Sequence, residues 1–592
     1  MRGAPRLLRG ILSLIAGLVA VAATPAAAER VENFALLDHR GRFHELHDHR
    51  DARAVVLFVQ GNGCPIARNA VPALDALRKA YAPRGVVFLG LNASPQDDRA
   101  AVAEEVADYG IAFPVLVDET QLVAEALGVD RTAEVLLIDP DGWQVVYRGP
   151  VDDRLDYETQ RPARRHFLRE ALDAHLAGGR VERRRRESPG CLIFFPHRDP
   201  EAWRRISYAE DVAPILVERC RDCHREGGVA PWAMTDFAMV RGWSPMIREV
   251  IRTRRMPPWD ADPAVGRFRN ASGLTPDEAR TLVHWVEAGA PRGGGADPLA
   301  TRPAGPPPAW PLGEPDLVLT GPVQEIPATG VVPYRYETLE VPIDREVWLR
   351  AADLRPTNLA ATHHVTAYLV PPEGTLPDVE GPRFNRGLFA GYVPGRQPQP
   401  YPEDTGFRLP AGTRIRLQLH YDTTGRPEHD VPRVGLYLAE TPPRHELAIG
   451  AAASFDFEIP AGAPRHRERA VQRLERDIVV HRVTPHMHYR GRAMRIEVRL
   501  PDGTRETLLS VPRYRFDWQR QYVLEEPRRL PAGSAIVAEA VFDNSRHNPA
   551  NPDPTRAVGF GEQSFDEMLF GYFLYHEAPS EEPSATARAA AP

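Results

Sequence analysis

Residues 54–68 have the sequence AVVLFVQGNGCPIAR, which predicts a buried strand, a tight turn and the start of a helix. Two more short apolar runs, at 85–91 and 134–138, are typical of buried strands, and segments with helical spacing lie between the runs. Strands that alternate with helices predict a mostly parallel sheet with helices on its faces. We therefore expect an α/β domain over residues 29–179.

The first residues of the chain have the pattern of a secretory signal. Arginines within the first nine residues precede an apolar run at 11–23, and small residues follow at 26–28. This order predicts a signal peptide at 1–28 with cleavage after Ala28. An uncleaved anchor is the alternative, although the run is short for a bilayer span. We expect a soluble protein, periplasmic or secreted, with no membrane span after cleavage.

Length and composition limit the possible classes of protein. A chain of 592 residues predicts several domains, about three to five. The formal net charge of -7 gives no electrostatic reason to expect nucleic acid as a partner. The 59 prolines favour linkers and turn-dense β domains over long helices.

Beyond the first domain the chain divides by composition. Helical segments joined by irregular loops predict an all-α domain, and short alternating apolar runs between turns predict two all-β sandwich domains. The predicted boundaries are a basic linker at 180–205, the all-α domain at 206–295, a proline-rich linker at 296–315, sandwiches at 316–445 and 446–578, and a disordered tail at 579–592.

The most specific motif is Cys220-Arg-Asp-Cys223-His224. Two thiols one helical turn apart can add to the two vinyl groups on one edge of a haem, and the adjacent imidazole can then bind the iron. A zinc site is the alternative, but it needs two further ligands at short spacing, and the neighbouring sequence offers none. The motif therefore predicts one covalently attached haem c.

The segment around this motif resembles the cytochrome c family along its whole length. A helical segment precedes the motif, and the sequence at 274–291 looks like the C-terminal helix of that family. The resemblance implies an all-α fold and a sixth iron ligand. Met256 is the favoured ligand, because the two prolines after it hold it on a stiff, non-helical loop. The other methionines considered are Met234, Met239 and Met246.

The first domain resembles the thioredoxin and peroxiredoxin superfamily, in which a cysteine at a helix N-terminus has its thiolate favoured by the helix dipole. Cys64 occupies that position, but Ala67 replaces the second motif cysteine, and Ala133 stands where the family has a cis-proline. Cys191 is the one other cysteine outside the haem motif. A redox pair, a structural disulfide and single-thiol chemistry all remain open for Cys64 and Cys191.

The all-β region contains four elements that can bind a metal: His363-His364, His420, His486-Met487-His488 and Met568. His486 and His488 stand two residues apart on a predicted strand, so they point to one face and can share a metal. His363 and His364 would face opposite sides of a regular strand, so joint binding requires a bulge or a strand end. Ordinary core histidines in a sandwich are the alternative.

These four elements, in this order, resemble the copper type II, ascorbate-dependent monooxygenases, which include the peptidylglycine α-hydroxylating and dopamine β-monooxygenases. The resemblance implies two tandem jelly-roll sandwiches with one copper each. The electron-storing copper would bind His363, His364 and His420, and the oxygen-binding copper would bind His486, His488 and Met568. A thioether beside two imidazoles suits Cu(I).

Two features depart from that family. The region has no cysteine, whereas the eukaryotic members contain disulfides. Thr484 stands where the peptide-oxidising members have the arginine that binds the peptide carboxylate, so we do not expect amidation of glycine-extended peptides.

Taken together, the motifs predict a periplasmic, copper-dependent monooxygenase with several redox domains. It would hydroxylate a small-molecule or peptide-like substrate with O2, and Met568, His486 and His488 would be its catalytic residues. Electrons would come from an ascorbate-like reductant or a redox protein and pass through the haem. The alternative is a periplasmic electron-transfer or copper-handling protein without hydroxylation activity.

Overall fold

The computed structural model describes residues 29–154, 161–302, 304–305, 308–373, 387–395 and 398–578. The predicted signal at 1–28 and the predicted tail at 579–592 lie outside the described residues. Within those ranges, no helix has both the length and the apolar character that a membrane crossing requires.

The N-terminal domain is an α/β unit built on a seven-stranded sheet with the order β2-β1-β5-β4-β3-β6-β7. Its strands are β1 (Ala35–Asp38), β2 (Phe43–Glu45), β3 (Ala54–Gln60), β4 (Val86–Asn92), β5 (Val115–Val117), β6 (Val135–Asp139) and β7 (Gln144–Gly149). Its helices are α1 (Pro65–Tyr81), α2 (Arg99–Asp108), α3 (Leu122–Ala126) and α4 (Phe167–Leu176). The strand, turn and helix predicted from residues 54–68 are confirmed, and every residue of β3 is buried.

The prediction of a mostly parallel sheet is wrong. β3 and β4 pair in parallel, as do β4 and β5, and each of these pairs is joined by a helix, α1 or α2. The pairs β1–β2 and β6–β7 are antiparallel. Short turns join these two pairs, and strands joined by a short turn must run antiparallel. The sheet is therefore mixed, with hairpins at both edges.

Residues 200–301 form a small helical unit. Its helices are α5 (Pro200–Trp203), α6 (Ala213–Arg219), α7 (Phe237–Arg252), α8 (Pro276–Glu287) and α9 (Pro298–Thr301), with a π-helical turn (Tyr208–Val212) before α6. α8 begins with a capping box, in which the Thr275 side chain and the Glu278 side chain each accept a backbone N–H of the other residue. Tyr208 and Trp285 lie at the centre of a small apolar core.

The remainder of the described chain is β structure in three main sheets. The strands are β8 (Leu317–Thr320), β9 (Gln324–Ile326), β10 (Arg335–Glu340), β11 (Val347–Arg355), β12 (Thr362–Val370), β13 (Leu388–Tyr392), β14 (Thr405–Leu409), β15 (Arg414–Tyr421), β16 (Glu428–Asp430), β17 (Arg433–Leu438), β18 (His445–Ser454), β19 (Glu458–Ile459), β20 (His466–Arg473), β21 (Ile478–His486), β22 (Gly491–Arg499), β23 (Arg505–Val511), β24 (Tyr522–Leu530), β25 (Ala535–Phe542), β26 (Val558–Gly559) and β27 (Leu569–Glu577).

These strands form two sandwiches that share one sheet. A continuous eight-stranded sheet has the order β24-β21-β27-β18-β14-β11-β17-β8. The sheet β10-β15-β12-β13 packs on one half of it and the sheet β20-β25-β22-β23 on the other, each over its own apolar core. The two halves meet where β14 and β18 pair in parallel, at Thr405 and His445. The two sandwiches are therefore hydrogen-bonded to each other and are not independent.

Ion pairs connect the helical unit to its neighbours on both sides. The Arg252 guanidinium lies 2.7 Å from the Glu32 carboxylate of the N-terminal domain. The Arg515 guanidinium of the second sandwich lies 2.9 Å from the Asp260 carboxylate of the helical unit. The helical unit thus packs against both the N-terminal domain and the second sandwich.

Candidate functional site

The first histidine set lies on two neighbouring strands of the first sandwich. His364 on β12 stands directly opposite His420 on β15, and the register shifts between Thr362 and His364. This irregularity is of the kind that adjacent histidines need in order to approach one ion. One ring nitrogen from each of His363, His364 and His420 lies within 4.8 Å of the others, a spacing that could hold a metal ion.

Burial keeps these three imidazoles neutral. It lowers the pKa of His363 to about 4, that of His420 to about 3, and that of His364 well below its usual value. Neutral imidazole is the form that binds metals. Within the described residues, His363 Nε2 and His420 Nδ1 are buried without a hydrogen-bond partner. Because a buried, unpaired polar atom is costly, these nitrogens fit a bound metal ion better than an apolar core.

The second set lies at the end of β21 and the start of β27. His486 ends β21, His488 follows two residues later, and their rings are 5.3 Å apart. Met568 directly precedes β27, whose Phe570 pairs with His486. A cavity of about 130 Å³ is lined by Met568, His486 and His488 and also by His364 of the first set. The structure therefore places His364 of the first set and all three residues of the second set beside one cavity.

Hydrogen bonds at Nδ1 orient both rings of the second set. His486 Nδ1 lies 2.6 Å from Gln519 Oε1, and His488 Nδ1 lies 3.2 Å from the backbone oxygen of Asp566. These contacts leave Nε2 of each ring available to a metal, as is usual for histidine ligands. Burial lowers the pKa of His486 to about 4 and that of His488 well below its usual value.

Glu567 fixes the backbone around the second set. Its fully buried carboxyl group accepts hydrogen bonds from the backbone N–H groups of His488 and Arg490, at 2.9 and 2.6 Å. Burial raises its pKa to about 8. Sequence reasoning missed this role, because it depends on a contact between segments 79 residues apart.

One short segment contacts both histidine sets. Phe516 stacks on His363 with ring centroids 4.4 Å apart, and its ring lies 5.7 Å from that of His488. Three residues later, Gln519 contacts His486. Sequence reasoning missed this segment, because phenylalanine and glutamine carry no metal-ligand signature.

The Cys220-Cys223-His224 motif forms a tight turn after α6. The backbone N–H groups of Cys223 and His224 both donate to the carbonyl of Cys220. His224 Nδ1 lies 3.1 Å from the carbonyl oxygen of Trp232, which leaves Nε2 available as an iron ligand. Burial raises the pKa of Cys220 to about 12 and also raises that of Cys223, so both are protonated thiols at neutral pH. The residues present fit covalent attachment of a haem.

The predicted iron ligand Met256 lies in the loop after α7. Arg520 of the second sandwich donates a hydrogen bond from Nε to the Pro258 carbonyl, at 3.1 Å. Its positive charge also acts on Cys223, where it lowers the pKa of the thiol and partly offsets the effect of burial, which raises it. The Met256 loop and the haem motif therefore both border Arg520. Of the other methionines considered, Met234 is buried in the helical core, while Met239 and Met246 are exposed on α7.

The two remaining cysteines lie side by side. The sulfur atoms of Cys64 and Cys191 are 2.8 Å apart. Thr132 connects them, because its hydroxyl lies 3.0 Å from the Cys64 sulfur and accepts the backbone N–H of Cys191 at 2.9 Å. Cys64 is buried and Cys191 is exposed. Sequence reasoning missed the contact of Thr132 with both cysteines.

The surroundings shift the pKa values of the two thiols in opposite directions. Burial opposes ionisation of Cys64, but hydrogen bonds from Cys191 and Thr132 outweigh it, and the pKa of Cys64 is lowered. Burial and the neighbouring Cys64 raise the pKa of Cys191. Of the two thiols, Cys64 is therefore the one whose thiolate form is favoured.

We expect the oxidised protein, with its haem attached, to contain no free thiol and to gain two on mild reduction. Cys64→Ser should expose a single thiol, at Cys191, to alkylation, because Cys191 is the exposed member of the pair. Thiol counting by mass spectrometry after alkylation measures both results, with the unaltered protein as the control. Two alkylated thiols in protein isolated without reductant would contradict the pairing.

Comparison with known proteins identifies the first domain. The AhpC/TSA family matches residues 27–148. A thiol-disulfide oxidoreductase ResA of Halalkalibacterium halodurans is 29% identical over 116 residues, which are 20% of this chain and 64% of that protein. A ResA of Bacillus thuringiensis is 33% identical over 110 residues, 19% of this chain and 62% of that protein. The chain thus spans slightly less than two thirds of the length of these curated relatives.

Two solved structures are similar to part of the chain. The hypothetical protein SMc02350 of Sinorhizobium meliloti is 30% identical and covers 29% of this chain and 94% of its own, with a TM-score of 0.27. Peroxidoxin BcpB of Mycobacterium tuberculosis is 21% identical and covers 25% of this chain and 93% of its own, with a TM-score of 0.20. The family match and the curated relatives confirm the predicted thioredoxin-like fold of the N-terminal domain and support a general oxidoreductase role.

Proposed function

We propose that the chain is an exported oxidoreductase that uses one covalently bound haem and two copper ions in a copper-dependent monooxygenase reaction. The main support is that two sets of buried, neutral imidazoles and the Met568 thioether line or adjoin one cavity of about 130 Å³. When bound, the haem would supply one-electron transfer and the copper ions would supply activation of O2.

The two ligand sets are suited to different tasks. The first set offers three imidazoles and no sulfur, from His363, His364 and His420. The second set adds the Met568 thioether to the imidazoles of His486 and His488. The second set is the softer one and favours Cu(I), the state that reacts with O2. This difference supports the assignment of electron storage to the first set and of substrate oxidation to the second.

Polar groups line the cavity beside the second set. Thr366, Gln418 and Tyr572 contribute to its wall. A cavity of about 130 Å³ is smaller than a typical site for a drug-sized ligand, so it admits the reacting end of a substrate. These side chains would orient that end by hydrogen bonds and keep bulk water from the reacting atoms.

A continuous series of contacts connects the haem motif to the first histidine set. A Cβ atom at Gly395 would lie 3.7 Å from the Cys223 sulfur and 2.9 Å from the Trp518 ring, so glycine allows these groups to approach. Trp518 and Phe516 belong to one 3-10 turn, and Phe516 stacks on His363. This packing supports a shared redox function for the two centres.

The thiol pair supports a second activity in the N-terminal domain, the reduction of a disulfide in another molecule. The Cys64 thiolate would attack one sulfur and form a mixed disulfide, with the other sulfur leaving as a thiolate. Cys191 would then lose its proton and attack Cys64, releasing the second thiolate and leaving a Cys64–Cys191 disulfide. The 2.8 Å separation of the two sulfurs supports this sequence.

Copper titration of the metal-free protein tests the proposed sites. We expect two equivalents of Cu(I) per chain in competition with a chelator. Gln519→Leu should weaken one site by about 10–100-fold, because it removes the hydrogen-bond acceptor that orients His486. Gln472→Leu, at an exposed position on β20, is the control. Binding of fewer than two equivalents, or equal effects of both substitutions, would contradict the proposal.

A further inference from the structure

A cleft of about 920 Å³ lies between the N-terminal domain and the second sandwich. One wall is the turn between β1 and β2, which carries Arg40 and Arg42. The other wall is the outer face of the sheet β20-β25-β22-β23, with Arg465, Arg467 and Arg469. We call this space the arginine cleft. It is separate from the cavity beside the histidine sets.

The arginines of the second wall share one face. Arg467 and Arg469 stand two residues apart on β20, and Arg465 immediately precedes the strand. Alternate residues of a strand project to the same side, so Arg467 and Arg469 both face the cleft. Arg465 also lines it. Ala470, the next residue along the strand, is buried in the core of the sandwich on the other side.

These five arginines carry uncompensated charge. Within the part of the chain that the structure describes, none of them has a side-chain hydrogen bond or an acidic partner within ion-pair distance. The three other described arginines of the cleft are paired: Arg99 with Asp262 at 2.7 Å, Arg492 with Asp543 at 3.0 Å, and Arg495 with Glu497 at 3.8 Å. Since the chain as a whole has a net charge of -7, its composition does not explain this positive cluster.

The acidic residues in the cleft do not neutralise the cluster. Among the described residues, three acidic side chains line the cleft, against eight arginines. Asp262 is the partner of Arg99, and Glu468 contacts His466 at 2.7 Å. Glu539 stands opposite Arg469 across the β20–β25 pair and lies 3.7 Å from Arg499. Burial, together with the neighbouring charges of Arg492 and Arg42, lowers the pKa of Arg465. Holding like charges together costs free energy, which a bound anion would offset.

We propose that the arginine cleft binds a small multivalent oxyanion, a polycarboxylate or a polyphosphate. Guanidinium groups match both carboxylates and phosphates through paired N–H donors. A volume of about 920 Å³ is within the range of small-molecule sites and exceeds the space that one simple ion needs. Because the arginines come from both walls, the ligand bridges the N-terminal domain and the second sandwich.

Calorimetric titration of the full chain with citrate and with pyrophosphate, at fixed ionic strength, tests this site. We expect saturable binding of one anion per chain. Tighter binding of citrate would indicate a polycarboxylate ligand, and tighter binding of pyrophosphate a polyphosphate ligand. The double substitution Arg467→Gln with Arg469→Gln should weaken binding at least about tenfold, because each lost charge-assisted contact has a substantial free energy. Arg42→Gln on the opposite wall should weaken it as well.

Arg473→Gln is the matched control, because Arg473 lies on the same strand but does not line the cleft. It should leave binding unchanged. Absence of binding for both anions would overturn the proposal, as would an equal loss in the control. Binding of poly-glutamate without binding of either small anion would also overturn it and indicate a macromolecular partner. None of these outcomes depends on copper, so the test is independent of the proposed monooxygenase reaction.

Discussion

Met568→Leu is expected to reduce copper-dependent oxygen consumption by orders of magnitude while the protein keeps most of its copper. Leucine preserves the apolar volume but removes the sulfur atom, so His486 and His488 can still bind an ion. Without the soft ligand, Cu(I) is less favoured at this set, and the oxygen chemistry should fail even though metal is present. Oxygen uptake and copper content, measured on the same samples with a candidate substrate, give the two values.

The expected effect of His420→Ala on the first set is different. Loss of this ligand should impair electron storage, so that single turnovers persist in part while steady-state turnover falls. Met494→Leu is the control for the methionine substitution, because Met494 is buried in the core of the same sandwich and away from the cavity. Loss of one copper in Met568→Leu and in His420→Ala, with no change in any oxygen-consuming activity, would favour the copper-handling alternative.

The sequence predicted ligand atoms better than it predicted the groups that orient them. Histidine, cysteine and methionine are rare, so their spacing is informative, and the structure places His363, His364 and His420 within reach of one ion. Gln519 and Thr132 have no comparable signature, since glutamine and threonine occur widely in turns and strands. Their roles depend on contacts between segments far apart in sequence, which residue spacing does not encode.

For the fold as well, local elements were predicted better than the contacts between distant segments. The apolar run at β3 and the cysteine before α1 predicted the local strand, turn and helix correctly, because each depends on neighbouring residues. The sheet direction was predicted incorrectly, because the hairpins β1–β2 and β6–β7 contribute antiparallel strands that the alternation of strands and helices did not reveal. The pairing of β14 with β18, which joins the two sandwiches, was also not visible in either strand alone.

Replacing Cys220 and Cys223 together by alanine is expected to abolish covalent haem attachment completely. Produced in a host that matures cytochromes c, the unaltered protein should retain its haem through acid–acetone extraction, and the double variant should lose it. His224→Ala should disturb iron ligation, because this imidazole is held by Trp232 with Nε2 free. Absorption spectra before and after extraction measure both effects.

Met256→Ala should act in a different way from the cysteine substitutions. The haem should stay attached, the methionine–iron charge-transfer band should disappear, and the reduction potential should fall, because a thioether ligand favours the ferrous state. Met246→Ala is the control, since Met246 is exposed on α7. A band that persists in Met256→Ala would reassign the sixth ligand to another methionine, and Met234, whose backbone N–H donates to His224, would be the next variant to test.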